Sequence, residues 1–215
     1  MNWLNTSQGH QAAYNFTSNG VNDDIALWSS EEAWQLGGEN LFRHKDAYYF
    51  LPSMDEWYKA AYYNPSTGEY GDYPSLDGNE PSAVSSGTAD NTAVYDQSYG
   101  QGPADITSAG GLSAYGIMGL GGNVFEWEET TADLLNDSVS SFRGVRGGDW
   151  VGYSDYLSSS YRSSVNPDNE SSLFIGFRVA SLSDSANVVP EPGSVLVWGL
   201  LGLAGFFVGR KRLRK

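Results

Sequence analysis

Residues 116–127 read Gly116-Ile117-Met118-Gly119-Leu120-Gly121-Gly122-Asn123-Val124-Phe125-Glu126-Trp127. Four glycines in seven residues free the backbone for positive φ and for close approach to neighbours. Val124 and Phe125 favour strand, and Trp127 is a large apolar anchor. The stretch predicts a glycine-rich turn feeding a core strand. Glu126 sits between two aromatics, which leaves its carboxylate three options: water, a cationic partner, or a metal ion.

Upstream, residues 48–51 (Tyr48-Tyr49-Phe50-Leu51) predict a short aromatic strand that ends at Pro52. Residues 53–63 predict a helix. Ser53 can cap it, with Glu56 three residues on completing a capping box. Met54, Trp57 and Ala61 share one face, which makes Trp57 a core residue. Asn64-Pro65 stops the helix. Residues 5–30 are polar and turn-rich and read as loop with at most a short strand. His44, in Arg43-His44-Lys45, reads as an exposed turn residue. Residues 64–115 have no sustained period, long for a loop, and such segments are usually functional or pinned. Downstream, residues 128–141 are acidic and read as loop. Residues 142–150 predict a strand followed by a turn, and residues 173–179 a last strand.

Composition bounds the function. The 215 residues hold 26 glycines and no cysteine, with aromatics at 14% and charged residues at 18%. A loop-rich fold with one sizeable core follows, not a disordered acidic chain. Disulfides, zinc-thiolate sites and thiol nucleophiles are excluded. Five of the 12 basic residues (Arg210, Lys211, Arg212, Arg214, Lys215) lie at the end, so residues 1–209 carry 7 basic against 26 acidic residues, or −19. Such a surface repels nucleic-acid backbones and suits cations or plain solvation.

Residues 181–189 form a Ser-rich linker, and residues 190–215 a separate unit. Pro190-Glu191-Pro192 precedes an uncharged run to Gly209, then Arg-Lys-Arg-Leu-Arg-Lys. At about 1.5 Å per residue this run nearly crosses a hydrocarbon core of about 30 Å. A transmembrane helix at about 194–209 is expected, with its basic end cytoplasmic.

Four stretches in order resemble the formylglycine-generating enzyme (sulfatase-modifying factor) family: Leu51-Pro52-Ser53-Met54-Asp55-Glu56-Trp57, Gly121-Gly122-Asn123-Val124-Phe125-Glu126-Trp127, Arg146-Gly147-Gly148-Asp149-Trp150 and Ile175-Gly176-Phe177-Arg178-Val179-Ala180. The resemblance implies one α+β domain over residues 1–180. Its fold would be the formylglycine-generating-enzyme variant of the C-type lectin-like fold, loop-rich with short strands and few helices. It places Asn2-Trp3-Leu4 in an early helix and implies that a preceding segment is missing. The tail resembles the PEP-CTERM sorting signal. That implies exosortase as a partner, processing near Pro190, Glu191 and Pro192, and export to the bacterial envelope or matrix.

The family's best-known activity oxidises a substrate cysteine with two copper-binding enzyme cysteines placed after its Arg-Gly-Gly-Ser-Trp motif. The matching residues 151–157 here hold no thiol, the ligand that selects Cu(I), so no copper is expected. A second branch uses non-haem iron held by histidines. His10 and His44 have no ligand spacing, so iron is not expected either. Calcium is the cofactor the resemblance favours, through the carbonyls of Gly122 and Val124 and the carboxylate of Glu126. Gly119 stands where the family usually has Asp or Asn, which removes one ligand. A second oxygen-rich site would draw on Asn91, Thr92 and Asp96; such ligands on flexible loops suit Ca²⁺. Two functions follow. One is a non-catalytic binding or structural domain at the envelope, using Tyr153, Asp155, Tyr156 and Tyr161 on a peptide or carbohydrate. The other is a formylglycine-generating or non-haem iron oxidoreductase with altered chemistry.

Overall fold

The computed structural model describes residues 1–17, 24–34, 40–138, 141–166 and 173–182. Helix α1 (Asn2–Ser7) opens the chain, followed by strands β1 (Asn15–Thr17), β2 (Asp24–Ala26), β3 (Ala33–Trp34), β4 (Asn40–His44) and β5 (Tyr49–Phe50). Helix α2 (Met54–Tyr62) leads into two-residue strands β6 (Tyr63–Asn64), β7 (Glu69–Tyr70), β8 (Ser82–Ala83) and β9 (Thr92–Ala93). Then come β10 (Phe125–Thr131), β11 (Arg143–Arg146), β12 (Ser163–Val165), β13 (Ile175–Gly176) and β14 (Ala180–Ser181). Met1–Ser181 form one unit and Leu182–Lys215 another. Residues 183–215, with Pro190, Glu191, Pro192 and the expected membrane helix, lie outside the described residues. Among the described residues no helix is long and apolar enough to cross a membrane.

α2 starts for the reason the residues predict. Ser53 Oγ accepts from the Glu56 N–H, and the Glu56 carboxylate accepts from the Ser53 N–H. Trp57 and Ala61 are fully buried and pack with Tyr62 and Leu120. A second cluster joins Ala13, Tyr14, Phe42, Ala47 and Phe50, and a third Ala93, Tyr95 and Leu157.

The largest sheet has the order β12-β11-β10-β13. β10 runs antiparallel to β11, with Glu126 opposite Arg146, and parallel to β13, with Glu126 opposite Gly176. The turn entering β10 is forced. Gly122 (φ 72°) packs so tightly on the Val94 carbonyl that a Cβ would collide with it. Asn123 (φ 66°) accepts from the Ala104 N–H at 2.7 Å through its side chain.

Three expectations need correction. Residues 128–131, read as acidic loop, continue β10 and are buried, because each buried glutamate meets an arginine from elsewhere in the chain. His44, read as an exposed turn residue, ends β4 at 9% exposure, edge-on to Trp28 at 4.8 Å. The strand expected over residues 173–179 is only the two-residue β13, with Phe177 and Val179 beyond it exposed, and the last strand is β14.

Candidate functional site

β10 carries three buried glutamates, and alternation along the strand sends Glu126 and Glu128 to one face and Glu129 to the other. The Glu126 carboxylate accepts from Trp57 Nε1 at 2.7 Å, and from Nε and Nη2 of Arg178, the latter at 2.6 Å. This is a forked, charge-assisted pair. The same Nη2 donates to the Met118 carbonyl at 3.3 Å. Glu128 accepts from Nε of Arg146 and Nε of Arg162, both at 2.8 Å. Gly144 lacks a side chain because a Cβ would run into this Glu128–Arg162 pair.

Glu129 accepts from the Tyr14 hydroxyl at 3.0 Å and from Asn40 Nδ2 at 2.6 Å. Arg43 Nε lies 3.0 Å from Glu129 Oε2, near enough for an ion pair although its N–H is not aimed at the oxygen. The Arg43 guanidinium is held between the Trp34 and Phe50 rings at 3.7 and 3.9 Å and forks onto Glu56. Burial dominates at Glu129 and pushes its carboxyl up from 4.5 to about 7, against the lowering effect of Arg43. Burial also raises the Tyr14 hydroxyl, reinforced by Glu129.

The segment after Arg146 turns on Asp149, whose Oδ1 accepts from the Val151 and Gly152 N–H groups at 2.9 and 2.7 Å. A short 3₁₀ turn, Ser154–Leu157, follows. Buried Leu157 anchors it, and the Tyr62 hydroxyl donates to the Leu157 carbonyl at 3.0 Å. This pins an aromatic platform: Tyr156 lies 4.8 Å from Tyr161, 6.2 Å from Phe125 and 6.4 Å from Tyr153. Tyr153 is 67% exposed, and Asp155 is also exposed. The structure thus brings together Tyr153, Asp155, Tyr156 and Tyr161.

The candidate calcium ligands fall in two places. Gly122, Val124 and Glu126 share one turn, where the Glu126 carboxylate is held by Trp57 and Arg178. Asn91 exchanges hydrogen bonds with Asp77 at 3.0 and 3.2 Å, and Thr92 Oγ1 donates to the Ala89 carbonyl. Asp96 is exposed in the left-handed region (φ 53°). Among the described residues no three His, Asp or Glu side chains gather as a metal-binding group. His10 stacks on Tyr48 at 4.6 Å.

Sequence reading missed the arginines. Residues 1–209 hold five, Arg43, Arg143, Arg146, Arg162 and Arg178, against 26 acidic residues. Four of them pair with Glu126, Glu128 or Glu129. Their scarcity was the available signal, since a chain short of cations places its arginines where burial demands them.

Residues 10–182 match the family profile described as the sulfatase-modifying factor enzyme 1-like domain. The chain belongs to this family. Two solved structures share the fold of this sulfatase-modifying factor domain. One is Treponema denticola variable protein 1, at 21% identity and TM-score 0.55, with 84% of this chain and 66% of that one covered. The other is CarF, at 20% identity and TM-score 0.54, with 84% and 62% covered. The chain thus spans just under two thirds of the length of each. Comparison with curated proteins finds no match.

Proposed function

We propose that this sulfatase-modifying factor domain is a non-catalytic binding module that takes a peptide or carbohydrate on the platform of Tyr153, Asp155, Tyr156 and Tyr161. The observation that carries this reading is the segment after Arg146–Trp150. Where the family resemblance expects copper-binding thiols, the chain has Tyr153-Ser154-Asp155-Tyr156, packed against Phe125 and Tyr161. The exposed Tyr153 ring, beside half-buried Tyr156 and Tyr161, offers stacking area at low entropic cost, and Asp155 offers an acceptor for hydroxyl or amide groups. Display at the bacterial envelope is part of the same proposal. It is supported by Pro190-Glu191-Pro192, the uncharged run and the basic end, with exosortase and membrane as partners. The −19 charge of residues 1–209 argues against a nucleic-acid partner.

The test is a glycan and peptide binding screen of the full chain, with metal analysis alongside. Tyr153→Ala is expected to weaken the selected ligand by about 0.5–1.5 kcal/mol while leaving stability within about 0.5 kcal/mol. Stoichiometric copper or iron with oxygen uptake would replace this reading with the oxidoreductase one.

A further inference from the structure

A cavity of about 250 Å³ opens between β10, β11, β4 and the β1–β2 pair, and Glu126 is not among the residues that line it. Its walls are apolar: Phe16, Ile25, Phe42, Leu51 and Trp127. It shares no residue with the tyrosine platform. Its two acidic lining residues are already matched, Glu128 by Arg146 and Arg162, Glu129 by Arg43, Asn40 and Tyr14. Arg143 also lines it and is not matched. Its guanidinium carbon lies over the Phe42 ring, 3.6 Å from the centroid, and its buried Nη1 has no hydrogen-bond partner. Glu129, Tyr14 and Asp133, in that order, attract it from beyond ion-pair distance, and each already has partners of its own: Glu129 accepts from Tyr14 and Asn40, and Asp133 accepts from Thr131 Oγ1 and the Leu135 N–H.

We propose that this cavity binds a small apolar monocarboxylate, its hydrocarbon or aryl body on Phe16, Ile25 and Trp127 and its carboxylate on Arg143. A buried guanidinium nitrogen without a partner, as Nη1 is here, lacks the acceptor that water would give it. Burial accordingly pulls its pKa down to about 10, which leaves it charged at neutral pH. A carboxylate supplies two oxygens in the plane that a guanidinium prefers. The size fits, since an apolar cavity of about 150 Å³ accommodates benzene, and the additional space here takes the carboxylate and one or two carbons.

Isothermal titration of the full chain with 3-phenylpropanoate, with 3-phenylpropanamide and with an N-acetylated dipeptide acid ending in phenylalanine tests this. The acid is expected to saturate one site, with the neutral amide weaker by roughly tenfold or more. Arg143→Gln is expected to erase the preference, and Arg143→Lys to keep part of it. Should Arg143→Gln not fold, the acid-against-amide comparison on the unaltered chain decides. Equal affinity for acid and amide, or no saturation by the acid in the millimolar range, overturns the proposal. Tighter binding of the dipeptide acid overturns it too, because the site would then belong to a peptide C-terminus.

Discussion

Glu126 is a carboxylate at the rim of a glycine-rich turn, and its neighbours decide what it can do. Two Arg178 nitrogens and the Trp57 indole N–H converge on it in a site where side-chain exposure is 9% for Glu126 and 21% for Arg178. Truncating one partner of such a pair strands the other charge, which costs about 3–5 kcal/mol. Arg178→Ala is therefore expected to lose that much in chemical denaturation. Arg178→Lys should lose less, because a point charge replaces the fork. A loss under about 0.5 kcal/mol for Arg178→Ala would show that the pair does not hold the turn. A Ca²⁺ ion, expected at Gly122, Val124 and Glu126 from the family resemblance, would compete with the same guanidinium for the Glu126 carboxylate. Added calcium is thus expected to raise the melting temperature more in Arg178→Ala than in the unaltered chain. A larger response in the unaltered chain would place the ion elsewhere.

At the scale of the element, β10 buries three glutamates, each matched by an arginine from elsewhere in the chain. Glu129 supplies the test. Its carboxyl sits at about 7 in the fold against 4.5 when unfolded, so the folded state binds this proton more tightly. Its contribution to stability is full below about pH 4.5, falls as pH rises, and is gone above about pH 7; the shift is worth on the order of 3 kcal/mol. Glu129→Gln cannot titrate, so its stability curve is expected to be flatter between pH 4.5 and 7. Parallel curves for the two proteins would contradict the assignment. The same strand marks the limit of what the sequence makes legible. α2 could be read because its signals are local: Ser53, Glu56 and the Trp57–Ala61 face lie within one helix. The start of β10 could be read for the same reason, from Gly122 to Trp127. Its continuation could not, because Glu128 is matched by Arg146 and Arg162, 18 and 34 positions away, and Glu129 by Arg43 on another strand. Buried carboxylates separated in sequence from their partners look like a solvated loop. His44 misleads similarly: its flanking charges suggest surface, but Arg43 is buried between two rings. The tyrosine platform was legible as a set through the family resemblance; the Asp149 turn that leads into it is local, but Tyr62 and Phe125, which hold it, come from distant parts of the chain. The Arg143 cavity was not, since strands from four parts of the chain wall it.

Across the whole chain, charge is divided unevenly: 26 acids and seven cations in residues 1–209, five cations in the last six positions. Between them residues 192–209 carry no charge and include Val195, Leu196, Val197, Leu200, Leu201, Leu203, Phe206, Phe207 and Val208. As a helix this run would extend about 27 Å, close to a hydrocarbon core. Each of these side chains favours insertion by roughly 0.3–0.6 kcal/mol near the centre, and together they contribute about 3–5 kcal/mol, less the cost of the glycines. One central arginine costs about 2.5–3.5 kcal/mol, enough to cancel most of that. Leu201→Arg is therefore expected to release the full chain from the membrane fraction, whereas Leu201→Ile leaves it bound. Replacing Pro190, Glu191 and Pro192 by alanine removes no apolar side chain from the run's centre. That variant is expected to stay inserted and to lose only processing. Retention of Leu201→Arg after carbonate washing would mean that some other part of the molecule holds it to the membrane, since one buried charge and a marginal insertion energy cannot coexist.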